Sequence, residues 1–291
     1  MIPPGLITFI HTLLDKKEVF ILYLIVFEWQ NKDNYGKQAE NFVNGYFIWR
    51  TGSCSSAMDV AWQSISKKNL PEWGSVLALN QWRGRGQLGR SWLSPGGNIY
   101  SATRFPLPPP PWENLLPLIV GYSLAKSFAR INIQMTIKWP NDLILGGKKV
   151  GGILTEIKGD SAVVGVGINL LSSPGREMLP ISRVIPAASL MDFGYEFTPL
   201  DLWQDLLGQC RDDFTRIIET KTPSGFITEI HDYLAFKNET VHLTDRENKT
   251  STAILMGLGE NGGLKLLMND KIQIIQSGSI SPGDGSAMNR S

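Results

Sequence analysis

The sequence predicts an α+β fold, with one large domain of interspersed strands and helices and a small strand-rich domain at the C-terminal end. Three observations predict it. At 291 residues the chain can bury a substantial core and divide into more than one domain. Through the middle of the chain, strand-like alternation and helical periodicity take turns. From Glu239 onward short apolar runs separated by glycine turns replace them, the pattern of a small β-barrel or open sheet. The expected divisions are an N-terminal extension over 1–45, a main domain over 46–237, and a small β-domain with a frayed tail over 238–291.

Residues 1–45 have no clear period, and the readable pattern begins near Tyr46, where Phe47 and Trp49 suit a strand. Ser56-Ala57-Met58-Asp59 gives a Ser-x-x-Asp helix start, followed by an apolar stripe of Met58, Ala61, Trp62 and Ile65. Strands are expected over 75–79 and 98–104, and the proline run 108–111 hands over to a helix over 114–131. A hairpin follows whose turn is Gly146-Gly147, with arms over 143–145 and 149–157. A second turn at 158–160 leads to a strand over 162–168, and helices are expected over 199–219 and 225–235. Short strands over 241–244, 252–258, 264–268 and 272–277 complete the pattern.

Composition excludes several classes. The 28 basic and 27 acidic side chains nearly cancel, which argues against a nucleic-acid or anionic-membrane surface. The apolar run 19–27 falls far short of the roughly 20 residues that cross a bilayer. Two cysteines make neither a disulfide framework nor a zinc site, and a reducing cytoplasm is the expected compartment. His11, His231 and His242 lie away from every cluster below, so histidine acid–base or metal chemistry is not expected.

Three clusters carry chemistry. From Trp73 to Trp112 the chain holds Arg83, Arg85, Arg90 and Arg104 but no carboxylate. Such a Gly-Arg loop can turn backbone N–H groups and guanidinium forks onto a phosphate or carboxylate. Gly84, Gly86 and Gly89 spell G-x-G-x-x-G, but no helix and no acidic ribose ligand follow, which excludes a dinucleotide fingerprint. The second cluster is KWPNDLIL followed by GGKKVGGIL, over 138–154. Strict alternation sends Lys148 and Lys149 to opposite faces, Lys149 sharing its face with Gly151, and the glycines invite a close approach to the backbone. The third is Gly165-x-Gly167-Ile168-Asn169 at a strand end, where glycines clear space and Asn169 offers a donor and an acceptor.

Together these clusters resemble the biotin–protein ligases (biotin–[acetyl-CoA-carboxylase] ligases). The resemblance runs from about Ser53 to Ser281 through SSAMD at 55–59, NQWRGRGQLGRSWLSPGGNIY at 80–100, KWPNDLIL…KKVGGILTE at 138–156 and VGVGINL at 164–170. It implies a mixed sheet with helices against one side and a small C-terminal β-barrel. It also implies ATP-dependent activation of biotin to biotinyl-5′-adenylate with Mg²⁺, then transfer to a lysine of a biotin carboxyl carrier domain. By motif match Ser56, Ala57 and Gln81 would lie at the ureido ring, and Arg85, Gly86 and Gln87 would line biotin and its adenylate. Lys149 would bridge the biotin carboxylate and the α-phosphate, with Gly151 and Gly152 letting biotin lie on the strand. Arg90, Trp92, Asn141 and Asn169 would serve the nucleotide, Asp142 would hold Mg²⁺, and Lys149, Arg85 and Asp142 would carry the catalysis. Trp49, Trp82 and Trp92 are the candidate apolar walls.

This chain departs from the family pattern where Ala57 replaces a usual Thr and Gln87 a frequent second Arg. Residues 1–45 are too short and too weakly basic for a DNA-binding helix-turn-helix, so the ligase-only type is expected, with no DNA or membrane partner and a homodimer left open. Two alternatives remain: a lipoate-type ligase or acyltransferase of the same fold, and a non-catalytic biotin or adenylate binder.

Overall fold

The structure, a computed structural model, describes residues 42–43, 46–175, 185–245 and 247–283. The expectations for residues 1–41 and for the tail over 284–291 therefore lie outside the described residues. Eight strands form one mixed sheet: β1 (Phe42–Val43), β2 (Tyr46–Cys54), β3 (Ser75–Gln81), β4 (Ile99–Phe105), β5 (Thr136–Lys138), β6 (Asp142–Leu145), β7 (Lys148–Lys158) and β8 (Ser161–Ile168). Their order is β1-β2-β3-β4-β8-β7-β6-β5. Only β2 and β3 pair in parallel; helix α1 (Ala57–Ser66) lies between them in sequence, as a parallel pair requires of its crossover.

Alternation gives this sheet two unlike faces. On one, helix α2 (Leu116–Arg130) sets Gly121 against Ile137 and Ile153, so close that an added methyl would lie 3.5 Å from both. Helix α3 (Pro199–Thr220) packs beside α2, and its Trp203 indole N–H donates to Ser75 Oγ at 2.8 Å. The opposite face is covered by α1, whose Met58 sulfur would lie 2.9 Å from a methyl on Gly165. Helices therefore occupy both faces, not one. Ser56 caps α1 by accepting from Met58 N at 3.3 Å, as the Ser-x-x-Asp start predicts.

Five further strands form a second, antiparallel sheet: β9 (Thr240–Thr244), β10 (Thr250–Leu258), β11 (Leu264–Met268), β12 (Lys271–Ile275) and β13 (Ser279–Pro282). The order β12-β11-β10-β9-β13 leaves β12 and β13 as unjoined edges, so the expected barrel is an open sheet. It rests against the β5–β6 end of the large sheet, where the Trp139 indole N–H donates to Gly262 O at 2.8 Å. Strand β13 was not expected, nor was β5, which is only three residues long and ends in the Trp139–Asn141 corner.

Outside the sheets, α2, α3 and helix α4 (Pro223–Ile230) converge on an ionic cluster. Tyr122 OH donates to Glu229 Oε1 at 2.5 Å, and Arg216 and Lys221 pair with the same carboxylate at 3.0 and 3.2 Å. Burial opposes the Glu229 charge, but these donors outweigh it and depress the carboxyl from 4.5 to about 2. A carboxyl depressed on folding stabilises the fold above its unfolded value and loses that contribution as pH falls. Unfolding free energy is therefore expected to decline between about pH 4.5 and about pH 2. Denaturant titrations across that window should show Glu229→Gln flattening this part of the slope.

Candidate functional site

The register of the large sheet assembles a row of residues on the α1 face. Gly167 pairs with Tyr100 on one side and with Gly152 on the other; Gly152 pairs with Asp142, and Asp142 with Lys138. Directly opposed residues share a face, so the row reads tyrosine, two glycines, aspartate, lysine. The glycine pair is a floor of bare backbone, and the Trp92 indole rests on it. A methyl on Gly167 would meet that ring at 2.8 Å, and one on Gly152 would meet it at 3.1 Å. The Trp92 Nε1–H is buried there with no hydrogen-bond partner among the described residues. Of the expected aromatic walls Trp92 alone sits on this floor, and Trp82 is 65 % exposed.

Beside the floor stand two lysines on one carboxylate. Asp142 pairs through Oδ1 with Lys149 at 2.6 Å and through Oδ2 with Lys138 at 2.5 Å. Burial disfavours the Asp142 charge, yet the two ammonium groups hold the carboxyl below its ordinary range. The Lys149 ammonium also lies 5.2 Å from the Trp92 ring centre, a cation–π contact. Strict alternation placed Lys149 with Gly151; the structure corrects this. A bulge lets Gly151 oppose Leu143 and Lys149 oppose Ile144, so Val150 is an extra residue and parity flips. Lys149 thus joins Gly152, whose added methyl would lie 3.7 Å from Lys149 Cε, while Lys148 is exposed. Gly151 serves packing instead, since a methyl there would meet Gly167 O at 2.9 Å.

A polar corner closes the other end. Gln81 Oε1 accepts from Ala57 N at 2.7 Å, and its amide donates to Ser94 Oγ at 2.9 Å. Gly84 must be glycine in this corner, because a methyl would lie 2.4 Å from Trp92 O. From there the loop turns back on itself, Gly86 N donating to Arg90 O at 2.8 Å and Trp92 N to Gly84 O at 2.9 Å. Gln87 and Gly86 are half-buried in it and Arg90 is exposed. The Arg85 guanidinium points at carboxylates, pairing with Asp59 at 2.7 Å and with Glu156 at 3.5 Å.

The two asparagines hold backbone. Asn141 grips β7 twice, its side-chain amide donating to Ile153 O at 2.6 Å while its backbone carbonyl accepts from Ile153 N at 2.9 Å. The Asn169 amide donates to Ala188 O at 3.1 Å and ties in the segment that pairs with Lys149. The donor set around Asp142 does not fit the expected Mg²⁺. Both carboxylate oxygens are engaged by ammonium groups, and among the described residues no three His, Cys, Asp or Glu side chains converge. Sequence reasoning missed Lys138, although its i, i+4 spacing to Asp142 is visible in KWPND. Asp59 and Glu156 were missed because only the fold brings them to Arg85.

The Biotin/lipoate A/B protein ligase family signature matches residues 51–171, which hold this geometry apart from the segment at Ala187 and Ala188. Residues 51–171 are thus similar to that family's domain. The chain is similar to the bifunctional ligase/repressor BirA of Bacillus subtilis, with 35% identity over 120 residues, 38% of this chain and 36% of that protein. It is likewise similar to the biotin–[acetyl-CoA-carboxylase] ligase of Paracoccus denitrificans, with 33% identity over 138 residues, 43% of this chain and 55% of that protein. The match thus spans about a third to a half of these relatives' length. In structure the chain is similar to the biotin protein ligase from Aquifex aeolicus in complex with biotin and ATP. The TM-score is 0.66 at 26% identity, covering 80% of this chain and 97% of that one.

Because Asp142 is the counter-ion of a buried lysine, removing its charge should cost more than removing Lys149. Asp142→Asn strands the Lys138 ammonium, a loss of about 3–5 kcal/mol for a broken buried pair. Urea denaturation should show that loss, and adding Lys138→Met should recover part of it.

Proposed function

We propose that the protein joins biotin to ATP, releasing pyrophosphate, and passes the biotinyl group from the adenylate to a lysine of a biotin carboxyl carrier domain. The observation that carries this reading is the Gly152–Gly167 floor under Trp92 with Lys149 at its edge. Bare strand backbone with an aromatic ring packed on it offers a flat, largely apolar surface beside Lys149, which suits a compact apolar ring system and its short tail. An ammonium at the edge suits the carboxylate at the end of that tail.

Activation must bring a carboxylate onto the α-phosphorus of a polyanion, and charge repulsion opposes it. The carboxylate oxygen attacks phosphorus and pyrophosphate leaves. Lys149 is placed to offset the negative charge shared by the two groups, and that charge is greatest in the transition state. Its counter-ion does not cancel it, since Asp142 is shared with Lys138 and the trio keeps a net positive charge. In the second step an unprotonated carrier lysine attacks the acyl carbon, AMP departs, and a proton is lost from the new amide. Mg²⁺ supplies charge neutralisation to the triphosphate when bound; no protein ligand is assigned to it. Gln81 and Ser56, gathered at the start of α1, offer the polar end that a ureido head needs and a linear lipoyl chain does not. Both cysteines are buried free thiols, consistent with a reducing cytoplasm as the working compartment.

Incubation with α-labelled ATP and either biotin or lipoate, followed by chromatography, tests the reading. Biotinyl-adenylate is expected; lipoyl-adenylate alone would favour the alternative ligase, and neither product would refute activation. Lys149→Ala should slow adenylate formation by about 10²–10³-fold, the usual loss for one preorganised charge. Lys148→Ala, on the exposed face, should leave the rate near wild type.

A further inference from the structure

The Arg85 guanidinium spends its hydrogen bonds on two carboxylates from two different elements. Nη1 donates to Asp59 Oδ1 at 2.7 Å in the first turn of α1, and Nη2 reaches Glu156 Oε1 at 3.5 Å on β7. Each carboxylate is held from behind. Ser55 Oγ donates to Asp59 Oδ2 at 2.8 Å, and the Trp62 indole N–H donates to Glu156 Oε2 at 2.7 Å. Lys158 completes the bracket, 3.2 Å from Glu156 and 4.4 Å above the Trp62 ring. These contacts fix two anions at the spacing of one guanidinium fork.

We infer that Asp59 and Glu156 are positioning residues that latch the 84–92 loop shut through Arg85, and so seat Trp92 on the glycine floor. The loop has no other charged attachment among the ion pairs of the described residues. Its remaining ties are backbone hydrogen bonds, the Ser94 Oγ donation to Trp92 O at 3.1 Å, and the Trp92 ring's contacts with the glycine floor and with Lys149. The latch is half exposed at Arg85 and Asp59, with side-chain exposures of 35% and 43%, so it is weak and opens often. A weak latch suits a cover that must hold a reactive acyl-adenylate yet open for a carrier lysine. That last point rests on the proposed function; the latch itself does not.

Trypsin reports opening without any ligand, because Arg90 lies in the loop but outside the ion pairs. Limited proteolysis read by mass spectrometry should show cleavage after Arg90 rising about two- to fivefold in Asp59→Asn and in Glu156→Gln, since cleavage follows the open population. Asp59→Glu, which keeps the charge, should restore most of the protection. Unchanged cleavage after Arg90 in both neutral variants would overturn the latch. So would a rise shared equally by a helical site such as Arg130, which would mean general loosening. In a second arm, pre-formed biotinyl-adenylate should leave Asp59→Asn several-fold faster than wild type. Equal release rates would overturn the link between latch and intermediate. Failure of the wild type to form adenylate would refute the proposed function and leave the proteolysis result to decide the latch.

Discussion

Two cross-strand glycines, Gly152 and Gly167, are the constraint on which the site depends. A glycine in a strand interior costs roughly 0.5–1 kcal/mol relative to alanine, so a facing pair in the middle of a sheet is a loss unless something uses the space. Trp92 uses it. Its ring reaches backbone that any side chain would have blocked, and this anchors the loop from Gly84 to Ser94 over the sheet. The same opening sets Lys149 against the indole face, because the bulge at Val150 turns that lysine toward the floor. Floor, wall and cation are consequences of one register.

Charge is arranged around this floor in two grades. In the Asp142 cluster the carboxylate and Lys138 are buried and both carboxylate oxygens are paired with ammonium groups, Lys149 alone reaching solvent, so the core of the cluster is rigid. The Asp59–Arg85–Glu156 bridge is partly solvated and holds a loop rather than a core. Strong pairing where geometry must not vary, and weak pairing where the cover must open, follow from the dielectric at each place. The asparagines belong to the first grade. Asn141 ties the β5–β6 corner to β7, and Asn169 ties in the segment 185–190 beside Lys149, each by donating its side-chain amide to a backbone carbonyl.

Much of this was legible in the sequence. Strands β3, β4, β7, β8 and β9 to β12 follow from alternation and turn chemistry, and the capped start of α1 from Ser56. What was not legible has physical causes. A bulge inserts one residue without changing composition, so alternation misassigned the face of Lys149. Strand β5 is three residues long, too short for any period to register. The open C-terminal sheet differs from a barrel only in whether its edge strands meet, which no local pattern encodes. Arg85 reads as an anion clamp from its loop, but its partners Asp59 and Glu156 come from distant elements. Asp142 reads as a metal ligand until Lys138 and Lys149 are seen on its two oxygens.

The most direct test is the biotin-dependent exchange of labelled pyrophosphate into ATP by Gly167→Val, compared with wild type. A side chain at this position displaces Trp92 but leaves Lys149 and Asp142 in place. The account predicts exchange that requires biotin in the wild type and falls at least about 100-fold in the variant, with its circular dichroism retained, as misplaced reacting groups imply. Exchange near the wild-type rate in a folded Gly167→Val protein would contradict it.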